Sequence, residues 1–160
     1  MAISRRSLVK VAAAAGAASY PLRAWADVMP DGKPWPVVKV GNAKNLKQGK
    51  SVSFSYPDGG SPAWLLKLDE SAVEGAGPDK NIVAFSGICT HMGCPIAFKD
   101  GRFVCPCHLS MFDPARNGVP YQGLASDYLP QIRLRIDRSS GDIHAVAMSG
   151  LVWGRERDVA

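Results

Sequence analysis

The sequence predicts an all-β fold, an antiparallel sandwich or barrel, on three observations. Several short runs alternate apolar and polar residues with period two, the pattern of half-buried strands. Clusters of Gly, Pro, Asp and Ser separate those runs and read as turns. No segment of residues 27–160 carries a long apolar repeat of helical period. Many short strands joined by such turns favour two packed antiparallel layers or a closed sheet.

The elements follow in order along the chain. Val37-Val38-Lys39-Val40 is a short β-prone run. Ser51-Val52-Ser53-Phe54-Ser55-Tyr56 alternates cleanly, Pro57-Asp58-Gly59-Gly60 turns, and Ala63-Trp64-Leu65-Leu66-Lys67-Leu68 returns, which makes a hairpin. A loop rich in Gly, Pro and Asp, from Glu74 to Lys80, leads to Ile82-Val83-Ala84-Phe85. Asp100-Gly101 marks another hairpin turn, followed by Arg102-Phe103-Val104. Ile132-Arg133-Leu134-Arg135-Ile136 alternates again. Ser139-Ser140-Gly141-Asp142 turns the chain into Ile143-His144-Ala145-Val146-Ala147-Met148. The four tryptophans and the strand aliphatics are expected to fill a single core.

Composition bounds the class. A chain of 160 residues predicts about one domain. With 46% apolar and 21% charged residues it is not a disordered chain. No apolar run reaches the ~20 residues that span a bilayer, which excludes a polytopic membrane protein. The formal net charge of +5 sits mostly in residues 1–26, which hold Arg5, Arg6, Lys10, Arg23 and no acid. The remainder has 15 basic and 14 acidic residues, so the folded part carries no basic excess of the kind that binds nucleic acid.

Residues 1–26 read as an export signal. Ser4-Arg5-Arg6-Ser7-Leu8-Val9-Lys10 is a charged start with a twin arginine, Val11 to Ala18 is a short apolar stretch, and Ala24-Trp25-Ala26 places small residues where a signal peptidase reads. The Arg-Arg pair points to the twin-arginine route into the periplasm. Residues 27–160 are then a single mature domain.

All four cysteines and two of the three histidines fall within Cys89 to His108. The first group is Cys89-Thr90-His91-Met92-Gly93-Cys94, and the second is Cys105-Pro106-Cys107-His108-Leu109-Ser110-Met111-Phe112. Thiolates with imidazoles specify zinc or iron–sulfur rather than calcium or magnesium. Three arrangements compete. Structural zinc is one, although zinc sites usually pair like ligands. Two disulfides are another, as in many exported proteins, and leave both histidines without a role. The third is a mixed-ligand 2Fe-2S centre, with two cysteines on one iron and two histidines on the other.

The two groups resemble the motif of Rieske iron–sulfur proteins, Cys-Thr-His-x-Gly-Cys followed by Cys-x-Cys-His-x-Ser-x-aromatic. The resemblance implies a 2Fe-2S cofactor held by loops spanning about residues 86–113 in a small cluster-binding subdomain of an antiparallel β fold. It implies that Cys89 and Cys105 bind the inner iron and that His91 and His108 bind the outer iron near the surface. It implies a disulfide between Cys94 and Cys107, and a hydroxyl of Ser110 that donates to a bridging sulfide. Phe112 stands where respiratory Rieske proteins usually have a tyrosine that donates to a ligand sulfur. Donors to sulfur stabilise the reduced cluster, so the expected potential lies below the respiratory type. A disulfide needs an oxidising compartment, in agreement with an export signal.

The flanking segments Ser53-Phe54-Ser55-Tyr56-Pro57-Asp58, Gly77 to Ser86 and Gly150-Leu151-Val152-Trp153-Gly154-Arg155 resemble the small subunit of arsenite oxidase. That resemblance implies a large molybdopterin subunit with a 3Fe-4S cluster as partner, and cytochrome c or a copper protein as electron carrier. It places substrate chemistry on the large chain, with no catalytic residue on this one. Iodate reductase, a sister molybdoenzyme, uses a similar subunit with electrons flowing the other way. A stand-alone or cytochrome bc-type carrier is a further alternative, although Pro30, Pro34 and Pro36 follow the short apolar segment almost at once. An oxygenase α subunit would need a second iron site, and only His144 remains, expected to be a structural or surface residue. Export with cleavage after Ala26 predicts a mature chain beginning at Asp27, read by mass spectrometry of the periplasmic protein. An intact Met1 would count against it.

Overall fold

The computed structural model describes Met29 and residues 32–157, so the export signal lies outside the described residues. Among the described residues there are ten strands: β1 (Val38–Asn42), β2 (Ser51–Ser55), β3 (Pro62–Lys67), β4 (Ile82–Ser86), β5 (Ala97–Lys99), β6 (Arg102–Val104), β7 (Met111–Asp113), β8 (Val119–Gln122), β9 (Gln131–Ile136) and β10 (Asp142–Met148). They form a six-stranded sheet in the order β1-β10-β9-β4-β3-β2 and a four-stranded sheet in the order β5-β6-β7-β8. Every strand pairing in both sheets is antiparallel. The result is the expected all-β architecture, a near-closed antiparallel barrel or sandwich with a smaller sheet appended.

Alternation explains how the layers join. Strand β4 is buried at all five positions. Successive side chains of a strand point to opposite faces. Ile82 and Ala84 therefore enter one core, while Val83 and Phe85 enter another. Neighbouring β3 divides the same way, with Ala63 and Leu65 on the first side and Leu66 on the second. The first core closes the six-stranded layer with Tyr56, Ile132, Ile143 and Val152. The second core joins that layer to the small sheet through Phe103, Phe112 and Leu129, and it contains Cys89 and Cys105. Phe103 meets both Phe85 and Phe98 edge-on, each with ring centroids 5.6 Å apart. Burying a phenylalanine of this kind contributes roughly 1.5–3 kcal/mol.

Two expectations need correction. The core is not single but divided by β3 and β4. Nor do the tryptophans fill it: Trp35 is buried, but Trp64 is half-buried and Trp153 is 42% exposed. Tyr56, Phe85, Phe103 and Phe112 supply the fully buried aromatic volume instead. Strands β7 and β8 also escape sequence reading, because three or four residues are too few to display a period. Between them Asp113 caps a short 3-10 turn by accepting from the Ala115 N–H at 2.9 Å.

The chain after β10 returns along the barrel. Ser149 exchanges hydrogen bonds with Gln131, Val152 is buried in the first core, and Arg155 reaches the β2–β3 turn. There Arg155 Nη1 lies 2.6 Å from Asp58 Oδ2. The same carboxylate accepts from the Gly60 N–H and the Ser61 hydroxyl, each at 2.9 Å. The Arg155 hydrogen bond is the main cause holding the Asp58 carboxyl below its ordinary value. A depressed native pKa stabilises the fold above the unfolded value of about 4, and that contribution is lost as pH falls through the native value. Asp58→Asn is expected to destabilise the chain by about 1 kcal/mol at pH 7. The difference from wild type should shrink as denaturation is repeated at successively lower pH below about 4.

Candidate metal centre

Two loops build the site at the end of the small sheet. The first leaves β4 directly and runs over residues 87–96. It is anchored by the Gly87 N–H donating to Pro62 O at 2.7 Å and the Ile96 N–H donating to Gly87 O at 2.9 Å. Within it the Cys89 N–H donates to Cys94 O and the Gly93 N–H donates back to Cys89 O, at 2.8 and 3.0 Å. Gly93 takes φ +73, a left-handed conformation that glycine adopts without a Cβ penalty. The second loop joins β6 to β7 over residues 105–110 and is closed by the Cys105 N–H donating to Ser110 O at 2.8 Å. The hairpin signalled by Asp100-Gly101 is present as β5–β6 and brings the loops together, with Ala97 opposite Val104.

The six Cys and His side chains sort by depth. Cys94 and Cys107 form a disulfide across the two loops, with an S–S distance of 2.04 Å. Cys89 and Cys105 are free thiols, and both are buried. His108 is exposed and His91 half-buried, and their rings meet edge-on with centroids 4.8 Å apart. Burial pushes the Cys89 thiol up from its ordinary value, and the neighbouring Cys105 thiol adds to the rise. The backbone N–H groups of His91 and Met92, donating to the Cys89 sulfur, oppose it. The sulfurs of Cys94, Cys105 and Cys107 lie within 4.8 Å of one another, but two of the three are spent in the disulfide and offer no thiolate. Among the described residues, the donors left over are two buried thiols and two surface imidazoles. That set matches a 2Fe-2S cluster with mixed ligands better than tetrahedral zinc or two disulfides.

A third segment completes the site. Ser110 is fully buried, and its hydroxyl oxygen accepts from the N–H groups of Leu124 and Ala125 at 3.1 and 3.0 Å. Both lone pairs are then used, so the remaining capacity of the hydroxyl is its proton. Gly123, at φ +86, lies so close to the Ser110 backbone that a Cβ would collide with it. The Thr90 hydroxyl donates to Asp127 O at 2.7 Å, which ties the first loop to the same segment. Sequence reading assigned no role to Thr90, Gly123 or residues 124–127. Their partners are remote in sequence, and the only local cue is the glycine. His144 stays on β10, opposite Lys39 and Arg135 in the six-stranded sheet, and takes no part.

Fold and site together define an iron–sulfur electron-transfer domain with its metal-binding site in the two cysteine-rich loops. Residues 36–132 match the Rieske [2Fe-2S] domain, and the chain belongs to that family. It is similar to the iodate reductase subunit IdrB of Denitromonas iodatirespirans, 39% identical over 125 residues that cover 75% of this chain. It is also similar to IdrB of Pseudomonas sp. strain SCT, 40% identical over 124 residues that cover 72% of this chain. These alignments span 66% and 62% of the relatives' own lengths, just under two thirds. Among solved structures it is similar to the soluble domain of Rieske protein II (soxF) from Sulfolobus acidocaldarius. The TM-score is 0.67 at 25% identity, over 77% of this chain and 83% of that one.

Phe112 is fully buried on β7, opposite Phe103. A tyrosine hydroxyl at this position would add a donor beneath the loops. Phe112→Tyr is therefore expected to raise the reduction potential, measured by protein-film voltammetry. An unchanged potential would show that the hydroxyl does not reach a sulfur.

Proposed function

We propose that this chain is the electron-transfer subunit of a periplasmic oxidoreductase of iodate-reductase type, exported as a folded domain comprising residues 27–160. It would pass electrons between a large molybdopterin subunit with a 3Fe-4S cluster and a soluble carrier, cytochrome c or a copper protein. The observation that carries this reading is the pair of adjacent surface imidazoles above two buried free thiols, in a chain similar to two iodate reductase subunits. An arsenite-oxidase-type partner is the second reading, favoured by the resemblance of the flanking segments. The greater support goes to the reductase, because the identity to its subunits extends over most of this chain.

In this reading Cys89 and Cys105 hold the inner iron, and His91 and His108 hold the outer one. When bound, the 2Fe-2S cluster supplies one-electron redox chemistry, with imidazole in place of thiolate placing its potential in the range of roughly −150 to +300 mV. The disulfide holds the two loops at fixed separation. Ser110 ties the second loop to residues 124–125 and keeps its hydroxyl proton free to donate to the cluster. Met92 and Leu109, next in sequence to the two histidines, and Leu124, whose N–H donates to Ser110, are each about 60% exposed. Exposed apolar groups placed this way suit a partner surface that excludes water during electron transfer.

The test is the molybdenum-to-iron ratio of the complex purified natively from the periplasm, followed by the colour of the Rieske centre. Stoichiometric molybdenum with reoxidation by iodate supports the main reading. Reduction of the centre by arsenite supports the second reading, and iron without molybdenum moves the assignment to a free or cytochrome bc-type carrier. His91→Ala or His108→Ala is expected to abolish the Rieske electron paramagnetic resonance signal. Leu109→Asn should leave the spectrum unchanged but slow electron delivery between subunits by about tenfold or more, the effect of a docking loss near 1.4 kcal/mol. Stopped-flow kinetics reads that difference.

A further inference from the structure

The chain after β10 does more than close the barrel. A Cβ built on Gly93 would lie 2.5 and 2.6 Å from Cε3 and Cζ3 of Trp153, so the indole ring sits directly against the first cluster loop. Gly93 lies between His91 and Cys94. Its neighbours His91 and Met92 supply the N–H groups that donate to the Cys89 sulfur. The direction of those N–H bonds depends on the backbone that leads into Gly93, where the indole bears.

The indole is itself held from both sides. Val152, which precedes it, is buried in the barrel core. Arg155, two residues on, forms the ion pair with Asp58 and donates its N–H to Val152 O at 3.2 Å. The β2–β3 turn and the barrel core therefore clamp a short segment whose large ring bears on the loop of the other subdomain.

We propose that Trp153 is a positioning residue for the loop carrying Cys89 and His91, held in place by the Asp58–Arg155 ion pair. The inference rests on the ligand assignment given above. Pressing on Gly93, the indole fixes the backbone N–H groups that donate to the Cys89 sulfur, and such donors favour the reduced cluster. The covered atom is the Gly93 backbone and not the sulfur, which remains buried in the second core. Removing the ring therefore loosens the donors without opening the sulfur to water, and the potential falls.

The experiment uses the full, cluster-loaded chain as wild type, Trp153→Ala, Trp153→Phe and Arg155→Leu. In Trp153→Ala the amides of residues 91–94 should exchange hydrogen about tenfold faster. Its midpoint potential should drop and its paramagnetic resonance lines should broaden. Trp153→Phe should restore all three, and Arg155→Leu should move them the same way by less. Wild-type exchange and potential in Trp153→Ala overturn the proposal, as does a raised potential or a shift that phenylalanine does not rescue. If Trp153→Ala fails to fold, Arg155→Leu carries the test, and an unchanged loop and potential in that variant overturn it. The ligand assignment fails separately: a Rieske signal surviving in Cys89→Ser would defeat it while leaving the exchange result standing.

Discussion

Strand β4 must be buried on both faces, and the architecture depends on meeting that constraint. Five consecutive buried residues cannot be satisfied by one layer. The six-stranded sheet covers one face through Ile82 and Ala84, and the small sheet with its loops covers the other through Val83 and Phe85. Because Cys89 follows β4 by three residues, the first loop starts from a strand buried along its whole length. The second loop starts from β6, whose Phe103 packs on Phe85. Both loops are thus mounted on the same buried aromatic layer. Positional accuracy at a redox site is easier to hold on such a scaffold than on free loops.

Depth separates the two pairs proposed as ligands. Cys89 and Cys105 lie in the second core, where a thiolate would be disfavoured without a cation to compensate it. The imidazoles lie at the surface, where a neutral ligand needs no such compensation and can approach a partner. A centre with its anionic ligands inside and neutral ligands outside has a short path for an electron and a shielded charge. The Cys94–Cys107 disulfide keeps the remaining two thiols out of competition for metal. Two of the three sulfurs nearest one another are therefore spent in a covalent bond.

Beyond the second core, a few specific contacts support the two loops. Ser110 collects two N–H donors from the segment after β8, and Thr90 binds the same segment from the other loop. Trp153 bears on the first loop from the barrel side. Each contact fixes backbone near a ligand rather than the ligand side chain. Such indirect support is a common way for a protein to tune a metal centre while leaving its ligands unchanged.

Much of this protein was legible in the chain itself. Period-two alternation and turn residues located the long strands, because a half-buried strand writes its two faces into consecutive residues. The Cys89 to His108 constellation pointed to an iron–sulfur site of Rieske type, because metal chemistry admits few residue types. Short strands β7 and β8, the division of the core, and the exposure of Trp153 were not legible. Nor were the roles of Thr90, Gly123 and Trp153, whose partners lie far away in sequence. Local sequence determined which residues could form strands and which could hold metal. The Cys94–Cys107 pairing that the family resemblance implied is present; only the tertiary structure decided how the core divides and which remote segments support the loops, because burial and long-range contact are properties of the packed chain and not of neighbouring residues.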